Sequence, residues 1–272
     1  MPDTLRRSSD SGSGRETTAA VWAAVSGMTI GEAWLRRDEA RSPELVARYE
    51  HAVAQLKRGV PLAYAVGSVG FRTLALAIDP RALIPRPETE GLVELVLGRC
   101  STGLVADIGT GCGCIALSLA VEGHFDKVVA VERSPAAAAL ARENVKRIAP
   151  STPVEVRVGN LLAPLADKAE RFRAILSNPP YLSSADHAHL DTSVAAFEPR
   201  EALVSGSDGL DATRELFAAA GALLQPGGLL ALEIDERRAD AVRNVGRRFG
   251  WNVEIYDDVF GCPRYALSIK EA

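Results

Sequence analysis

From residue 104 onward, short apolar runs alternate with stretches of helical periodicity, and this alternation restricts the possible folds more than any other feature of the chain. Strands are predicted at 104–108, 128–132, 154–158, 174–177 and 229–234, and helices at 113–121, 135–148, 211–224 and 237–249. Such alternation is typical of a parallel sheet with both faces covered. Two further apolar runs, 252–256 and 265–269, follow with no helical stretch between them. They must form a hairpin, so the sequence predicts an α/β fold whose seven-stranded, Rossmann-like sheet ends in an antiparallel strand.

The region before this alternation follows other patterns. Residues 1–16 are rich in Ser, Gly, Asp and Arg and lack the apolar run of a signal peptide, so they are predicted to be a disordered tail. Residues 17–66 have helical periodicity and predict a small helical domain. Residues 67–87 place large apolar residues at alternate positions and predict a β-hairpin linker. Residues 88–272 would then form the α/β domain.

Composition excludes several classes of function. The formal net charge of −4 shows no sign of the basic surface that binds duplex nucleic acid or an anionic membrane. No run approaches the roughly 18 apolar residues that a membrane-spanning helix needs. The four cysteines have neither the paired spacing nor the accompanying histidines of a metal site. We therefore expect reduced thiols, no metal, and a cytoplasmic, monomeric protein.

A glycine-rich loop joins the first predicted strand to the first predicted helix. It reads Asp107-Ile108-Gly109-Thr110-Gly111-Cys112-Gly113, with glycine at every second position from Gly109. Glycines let such a loop turn tightly and let a ligand approach its backbone closely. Ligands of open α/β sheets bind at the carboxyl ends of the strands, where this loop lies. A nicotinamide or flavin fingerprint would need glycine in place of Cys114, so that interpretation fits less well.

Glu132 narrows the choice of ligand. It ends the second predicted strand, where a carboxylate can accept hydrogen bonds from both hydroxyls of a ribose, although a glutamate at a strand end can also be merely solvated. Together with the loop, it predicts a cofactor that contains adenosine. Asp107 is expected to reach the amino-acid part of that cofactor directly or through water, and Gly159-Asn160-Leu161 to flank the adenine.

The tetrad Asn178-Pro179-Pro180-Tyr181 follows the fourth predicted strand and so opens beside the glycine loop. An isolated Asn-Pro-Pro is often only a turn, but this position suits a chemical role. The Asn178 side-chain oxygen and the Pro179 carbonyl can each accept an N–H bond from a substrate NH₂ group and leave its third direction to a methyl group. The prolines stiffen the loop, so that the acceptors are in place beforehand. The Tyr181 ring can pack on a planar amide.

With these motifs the chain resembles the bacterial release-factor glutamine N5-methyltransferases (the PrmC/HemK family). The resemblance extends from about Gly59 to Ile269, and Asn178-Pro179-Pro180-Tyr181 is shared with other amino-group methyltransferases. More specific matches are Gly59-Val60-Pro61-Leu62-Ala63-Tyr64, Phe71, Ile84-Pro85-Arg86-Pro87-Glu88-Thr89-Glu90, Phe197-Glu198-Pro199 and Ala202-Leu203. The chain departs from the family at three points. The helical module is expected to be shorter than the family's and to lack its first helix, Gly159-Asn160 stands where the family has an acidic pair, and Phe260-Gly261-Cys262-Pro263-Arg264-Tyr265 follows the family's ending only loosely.

The resemblance implies a class I methyltransferase that uses S-adenosyl-L-methionine and releases S-adenosyl-L-homocysteine. The substrate would be the glutamine of the Gly-Gly-Gln loop in class-1 peptide release factors, and the helical domain would help to bind that partner. Phe71, Pro87, Glu88 and Thr89 would line the cofactor or its entrance, with Arg86 beside them.

Three alternatives remain open at this point. The same chemistry could act on a small-molecule amide or amine. It could also methylate the adenine amino group of a nucleic acid, since such enzymes use a similar tetrad on a flipped base, but no basic channel or target-recognition domain is visible. Finally, the chain could bind the cofactor and only dock a partner. The intact Asn178 and Tyr181 argue against that last possibility.

Overall fold

The computed structural model describes residues 12–36, 39, 41–166 and 169–271. The chain divides into two compact units, with the boundary between Ser68 and Val69. Among the described residues, no helix is both long and apolar enough to cross a bilayer. Nor do the described side chains of His, Cys, Asp and Glu form a group of three or more that could hold a metal ion.

The first unit is helical. Its helices are α1 (Gly12–Ser26), α2 (Ile30–Leu35), α3 (Pro43–Lys57) and α4 (Leu62–Val66). A capping box between Thr29 and Glu32 starts α2, and the Ser42 hydroxyl accepts from the Leu45 backbone N–H at the start of α3. The core packs apolar residues of α1 against α3, with Trp22 edge-on to Tyr49 at 4.9 Å between ring centroids. The core is small: of its buried residues, Trp22 and Tyr49 have large side chains, and the others are valine or alanine.

Helix α1 corrects one boundary. Residues 12–16 were predicted to belong to the disordered tail, yet they lie in α1 in the structure, while residues 1–11 lie outside the described residues. The cause is tertiary: Val21, Trp22 and Val25 are buried in the core of the unit, and a helix anchored in this way extends through residues of low intrinsic propensity.

At the boundary lies the two-stranded β-hairpin that the sequence predicted, β1 (Ser68–Phe71) and β2 (Leu74–Ala77), which belongs to the second unit except for Ser68. An extended segment then leads into α5 (Pro87–Leu97), whose first residue is proline, as is common at the start of a helix. The hairpin packs on the α/β domain: the Asn144 side chain exchanges hydrogen bonds with both backbone groups of Ala77, at 2.8 and 2.9 Å.

The seven-stranded sheet has the order β5-β4-β3-β6-β7-β9-β8. Its strands are β3 (Leu104–Ile108), β4 (Lys127–Glu132), β5 (Val154–Val158), β6 (Phe172–Ser177), β7 (Leu224–Glu233), β8 (Glu254–Asp257) and β9 (Pro263–Ile269). Neighbours among β3 to β7 pair in parallel, whereas β9 pairs antiparallel with both β7 and β8. The predicted fold class and the antiparallel last strand are confirmed.

Helices cover the sheet, and the apolar strands form the core between them. They are α6 (Cys114–Glu122), α7 (Pro135–Ile148), α10 (Asp211–Leu223) and α11 (Ala239–Arg248), and two short helices, α8 (Ser184–His187) and α9 (Thr192–Phe197), follow β6. In the part of the chain that the structure describes, single turns of 3₁₀ helix lie at Ala163–Leu165, Arg200–Ala202 and Glu236–Arg238. The strand order reverses beside β3, so the loops after β3 and β6 border the crevice where ligands of open α/β sheets bind.

Candidate active site

A cleft of about 350 Å³ opens at the carboxyl edge of the parallel strands. Eight of the predicted site residues line it: Gly109, Gly111, Glu132, Gly159, Asn160, Leu161, Asn178 and Pro180. Its wall also contains residues that the sequence interpretation did not assign, among them Arg81, Ala82, Leu83, Ser134, Glu201, Val204 to Gly206 and Glu215. Residues of the predicted cofactor loop and two of the four residues of the predicted tetrad, Asn178 and Pro180, thus share one cleft.

The glycine loop adopts the backbone that its sequence demands. Gly109, Gly111 and Gly113 have φ values of 75°, 55° and 90°, a region that glycine enters without strain. The Val131 carbonyl on the neighbouring strand accepts from the Gly109 and Thr110 backbone N–H groups, at 2.8 and 3.0 Å. A Cβ atom added at Gly109 would meet nothing within 4 Å, so the loop presents bare backbone to open space.

Glu132 is part of the cleft wall. Its two carboxylate oxygens accept from the Gly111 and Ser134 backbone N–H groups, at 2.9 and 2.8 Å. These two bonds fix the plane of the carboxylate but occupy only one acceptor position on each oxygen. The remaining positions are therefore open to a pair of hydroxyls, and the role of Glu132 at a ribose stays a prediction.

Asp107 is fully buried beneath the loop. Its Oδ2 accepts from the Thr110 hydroxyl at 2.5 Å and from the Ala116 backbone N–H at 3.1 Å. Its Oδ1 has no hydrogen-bond partner among the described residues, and burial raises the pKa of this carboxyl to about 7. A buried acceptor without a donor is costly, so this site favours a ligand that brings a donor or a positive charge.

Other predicted cofactor residues support the loop and do not line the cleft. Thr110 and Cys112 are buried, and the Cys112 carbonyl accepts from the Asn144 amide at 2.9 Å. Gly113 lies at the start of α6, where a Cβ atom would contact Leu117 and Ala141, so this glycine lets the loop pack closely on two helices. Asn160 and Leu161 do line the cleft. The Asn160 amide donates to Glu215 at 3.4 Å, and Leu161 has a positive φ of 43°.

The tetrad is anchored on both sides. Before it, the Ser177 hydroxyl donates to the Ile108 carbonyl on β3 at 2.6 Å. After it, Leu182 exchanges backbone hydrogen bonds with Leu203 and Ser205, at 2.9 and 2.8 Å. The hydrogen bonds within the described part of the chain do not use the Asn178 Oδ1 or the Pro179 carbonyl as acceptors. Both predicted acceptors therefore remain available to a substrate N–H.

Behind the tetrad lies a buried polar group that the sequence did not reveal. The Asn178 side-chain NH₂ donates to the Thr89 hydroxyl at 3.0 Å, and that hydroxyl donates to Glu233 Oε2 at 2.7 Å. The Tyr181 hydroxyl lies 3.5 Å from Glu233 Oε1. Burial raises the pKa of Glu233 to about 7 and holds the pKa of Tyr181 well above its usual range.

Glu233 could have been noticed from the sequence. It is a charged residue near the end of an otherwise apolar predicted strand, which is the same signal that singled out Glu132. The signal alone does not identify its partners, since Thr89, Asn178 and Glu233 lie far apart in the chain.

Four residues predicted to line the cofactor or its entrance lie outside the described wall of the cleft, and their contact with the cofactor stays a prediction. Phe71 is only 1% exposed and packs in the interior, and the described wall of the cleft contains none of Phe71, Pro87, Glu88 and Thr89. Thr89 instead lies under Asn178, because α5 places it on the helix face that covers the end of β7. Arg81, Ala82 and Leu83, which come directly before the Ile84-Pro85-Arg86-Pro87-Glu88-Thr89-Glu90 motif, line the cleft instead.

Arg86 links two of the motifs that carried the family resemblance. Its guanidinium donates to Glu198 Oε1 at 2.6 Å, and the Ile84 backbone N–H donates to Oε2 at 3.3 Å. The Glu198 side chain is 1% exposed, whereas that of Arg86 is 31% exposed. The pair fastens the segment before α5 to the segment that continues into the cleft wall at Pro199.

We expect Arg86→Met to lower the free energy of unfolding by about 1–3 kcal/mol, because it leaves the buried Glu198 carboxylate without its charged partner. Arg243→Met is the matched control, since Arg243 pairs with an Asp240 side chain that is 90% exposed, and its loss should cost at most about 0.5 kcal/mol. Urea denaturation of both variants measures the difference. Equal losses would show that the Arg86 pair does not stabilise the fold.

Comparison with known proteins places these features in a family. The methyltransferase small domain matches residues 88–251, and the PrmC N-terminal domain matches residues 4–67. The release factor glutamine methyltransferase of Moorella thermoacetica is 39% identical over 86% of this chain and 84% of its own length. That of Deinococcus radiodurans is 40% identical over 85% and 82%.

Solved structures show the same fold at low identity. A methyltransferase from Pyrococcus furiosus matches with a TM-score of 0.55 and 20% identity, over 81% of this chain and 98% of its own. A 16S rRNA methyltransferase from T. thermophilus, solved in complex with AdoMet and guanosine, matches with a TM-score of 0.53 and 19% identity, over 75% and 50%. The glycine loop, Glu132 and the tetrad contribute residues to one cleft. The relatives are similar to this chain over most of their own length. The chain therefore belongs to the family of release factor glutamine methyltransferases.

Proposed function

We propose that this protein transfers a methyl group from S-adenosyl-L-methionine to the side-chain amide nitrogen of the glutamine in the Gly-Gly-Gln loop of class-1 peptide release factors. The observation that carries the proposal is the pair of unoccupied acceptors, Asn178 Oδ1 and the Pro179 carbonyl, beside a cleft lined by the glycine loop and Glu132. The names of the relatives support the choice of substrate. The site of action is the cytoplasm.

The residues of the cleft fit S-adenosyl-L-methionine. Glu132 offers two carboxylate oxygens for the ribose hydroxyls, and Gly109 offers bare backbone beside open space. The buried Asp107 lacks a donor for Oδ1 and would be stabilised by a cationic ligand nearby. When bound, this cofactor supplies an electrophilic methyl group. Asn160 and Leu161 on the far wall would flank its adenine.

The tetrad would orient and polarise the substrate amide. An amide nitrogen is a poor nucleophile because its lone pair is delocalised into the carbonyl. Two N–H bonds to Asn178 Oδ1 and the Pro179 carbonyl would fix the nitrogen and draw electron density towards it. Fixing two reactants in this way can lower a barrier by about 7–11 kcal/mol at the ideal limit. Because Pro179 and Pro180 restrict the backbone, little reorganisation is needed when substrate arrives.

Tyr181 has a non-ionic role in this scheme. Burial and the nearby Glu233 carboxylate raise its pKa, so the phenol stays protonated at neutral pH. Its ring can then cover one face of the substrate amide and exclude water. The released N–H proton requires no strong base, since it can leave after the methyl group has been transferred.

The test is methyl transfer from labelled S-adenosyl-L-methionine to a purified class-1 release factor. We expect label on the wild-type release factor and none on a variant whose Gly-Gly-Gln glutamine is replaced by alanine. Peptide mapping then locates the label on the glutamine side chain. A wild-type release factor that stays unlabelled, while calorimetry shows cofactor binding, would overturn the proposed substrate and direct the search to small-molecule amides and amines.

A further inference from the structure

The Thr89 hydroxyl bridges two buried polar side chains. It lies 3.0 Å from Asn178 Nδ2 and 2.7 Å from Glu233 Oε2, and both Thr89 and Glu233 are about 2% exposed or less. Thr89 comes from the first turn of α5 and Glu233 from the end of β7. Neither residue lines the described cleft, and the Thr89 hydroxyl reaches the cleft through Asn178.

The chemistry of the bridge determines its direction. An ionised carboxylate only accepts hydrogen bonds, and a hydroxyl has one proton to donate. Thr89 must donate that proton to Glu233, so it can only accept from Asn178. The group that Asn178 turns towards Thr89 is therefore its NH₂, and its Oδ1 is turned the other way. A flipped amide would place Oδ1 against a hydroxyl that has no proton left to donate.

The charges around Glu233 are compatible with an ionised carboxylate above neutral pH. Burial and the neighbouring Glu88 on α5 raise its pKa, to about 7, while Arg264 on β9 and the Thr89 hydroxyl oppose that rise. The Tyr181 hydroxyl faces it from the tetrad, and Tyr265 lies opposite it in the β7–β9 register. At pH 8.5 the carboxylate is ionised, and the direction of the bridge is fixed.

We infer that Thr89 and Glu233 are positioning residues that fix the amide of Asn178 with its oxygen towards the substrate. The catalytic consequence of this inference rests on the proposed function. When Oδ1 of Asn178 faces the substrate, it favours a substrate group that donates an N–H bond. A substrate that presented a carbonyl at this point would meet a second oxygen. The bridge thus makes the tetrad specific for NH₂ groups.

The bridge is not needed to place α5. The Tyr265 hydroxyl donates to the Glu88 carbonyl at 2.6 Å, and Arg72 binds the backbone and side chains of the helix through Glu90 and Glu94. Four apolar or small residues of the helix, Thr89 among them, are buried together. A variant that keeps the volume of Thr89 should therefore fold normally.

The kinetic test compares two variants at pH 8.5. Thr89→Val keeps the shape but removes the hydroxyl, and we expect kcat to fall about tenfold, the effect of one lost hydrogen bond, with KM and the cofactor Kd unchanged within about twofold. Thr89→Ser restores a hydroxyl, and its kcat should return to within about threefold of wild type. Glu233→Gln should resemble Thr89→Val, since a Gln amide can donate to Thr89 and reverse the bridge.

A double-mutant cycle separates positioning from a general structural effect. If Thr89 acts through Asn178, then Thr89→Val should cause no further loss in an Asn178→Ala background. A second tenfold loss in that background would overturn the inference. So would a Thr89→Val variant with wild-type kcat.

A second measurement does not depend on the methyl acceptor. In protein labelled with ¹⁵N-asparagine, the side-chain NH₂ resonance of Asn178 is identified by its loss in Asn178→Ala. We expect Thr89→Val to shift this resonance and to speed its exchange with solvent, while Thr89→Ser leaves it in place. An unchanged resonance in Thr89→Val would overturn the inference. If the release factor is not methylated by the wild-type enzyme, the proposed substrate fails, and the resonance still decides whether Thr89 orients Asn178.

Discussion

Asn178→Ala should lower kcat for methyl transfer by about 10²–10³-fold and change the cofactor Kd by no more than about twofold, the pattern seen when a preorganised polar group is removed from an active site. Asn178 Oδ1 accepts nothing within the described part of the chain, so its available acceptor position is the one the substrate amide would use. Truncation removes that acceptor and the buried NH₂ together. Single-turnover kinetics with labelled cofactor measures the loss.

The matched control is Asn252→Ala, which removes an exposed side-chain amide ahead of β8. It should leave kcat unchanged. Calorimetry and thermal melting of both variants show whether the cofactor site and the fold survive. Near-normal turnover by the Asn178→Ala enzyme would remove the tetrad from the proposed mechanism, whatever its methyl acceptor.

Glu132→Ala should weaken cofactor binding by about 2–3 kcal/mol, or roughly 30- to 150-fold in Kd, because it removes charge-assisted hydrogen bonds to the ribose. The carboxylate also orders the loop by accepting from Gly111 and Ser134, and this loss adds to the effect. Isothermal titration calorimetry with S-adenosyl-L-homocysteine gives the Kd without turnover.

Glu201→Ala provides the control for charge. Glu201 lines the same cleft, but its side chain is about half exposed, and within the described residues its ion pair is with the exposed Arg133. Its removal changes the net charge of the cleft equally and should shift Kd by less than about threefold, the scale of an exposed pair. Equal weakening by both variants would mean that Glu132 acts through overall charge and has no specific place at the ribose.

The regular part of the fold could be predicted closely from the sequence. The predicted bounds of β3, β5 and α7 agree with the structure to the residue, because each has strong periodicity and a clear turn or cap at its ends. β7 begins at Leu224, five positions ahead of the predicted 229, since Pro226 and the glycines after it hid its first residues. The positions of the glycine loop and the tetrad followed from the same alternation, since both come directly after strands.

The segment between β6 and α10 was harder to predict. Its short helices, α8 and α9, are too brief for periodicity to be visible, and residues on either side of them are held by contacts from other parts of the chain. Glu198 binds Arg86, and Leu182 pairs with Leu203, so neither contact is local in sequence. The contact of Thr89 is also distant in sequence. Thr89 was expected to line the cofactor or its entrance, and in the structure its hydroxyl accepts from the Asn178 side chain. Motifs identified which residues matter, but tertiary contacts decided what each one touches.

The position of β9 has a consequence for the synthesis of this protein. Within the described sheet, β8 pairs only with β9, and β9 fills the edge of β7 beside Glu233. While the chain grows on a ribosome, β8 therefore emerges before its partner exists, and the long edge of β7 remains uncovered. Open strand edges invite pairing with other chains. Nascent chains stalled ahead of residue 263 should therefore aggregate or recruit chaperones, whereas the appearance of one late strand closes the edge of β7 beside Glu233.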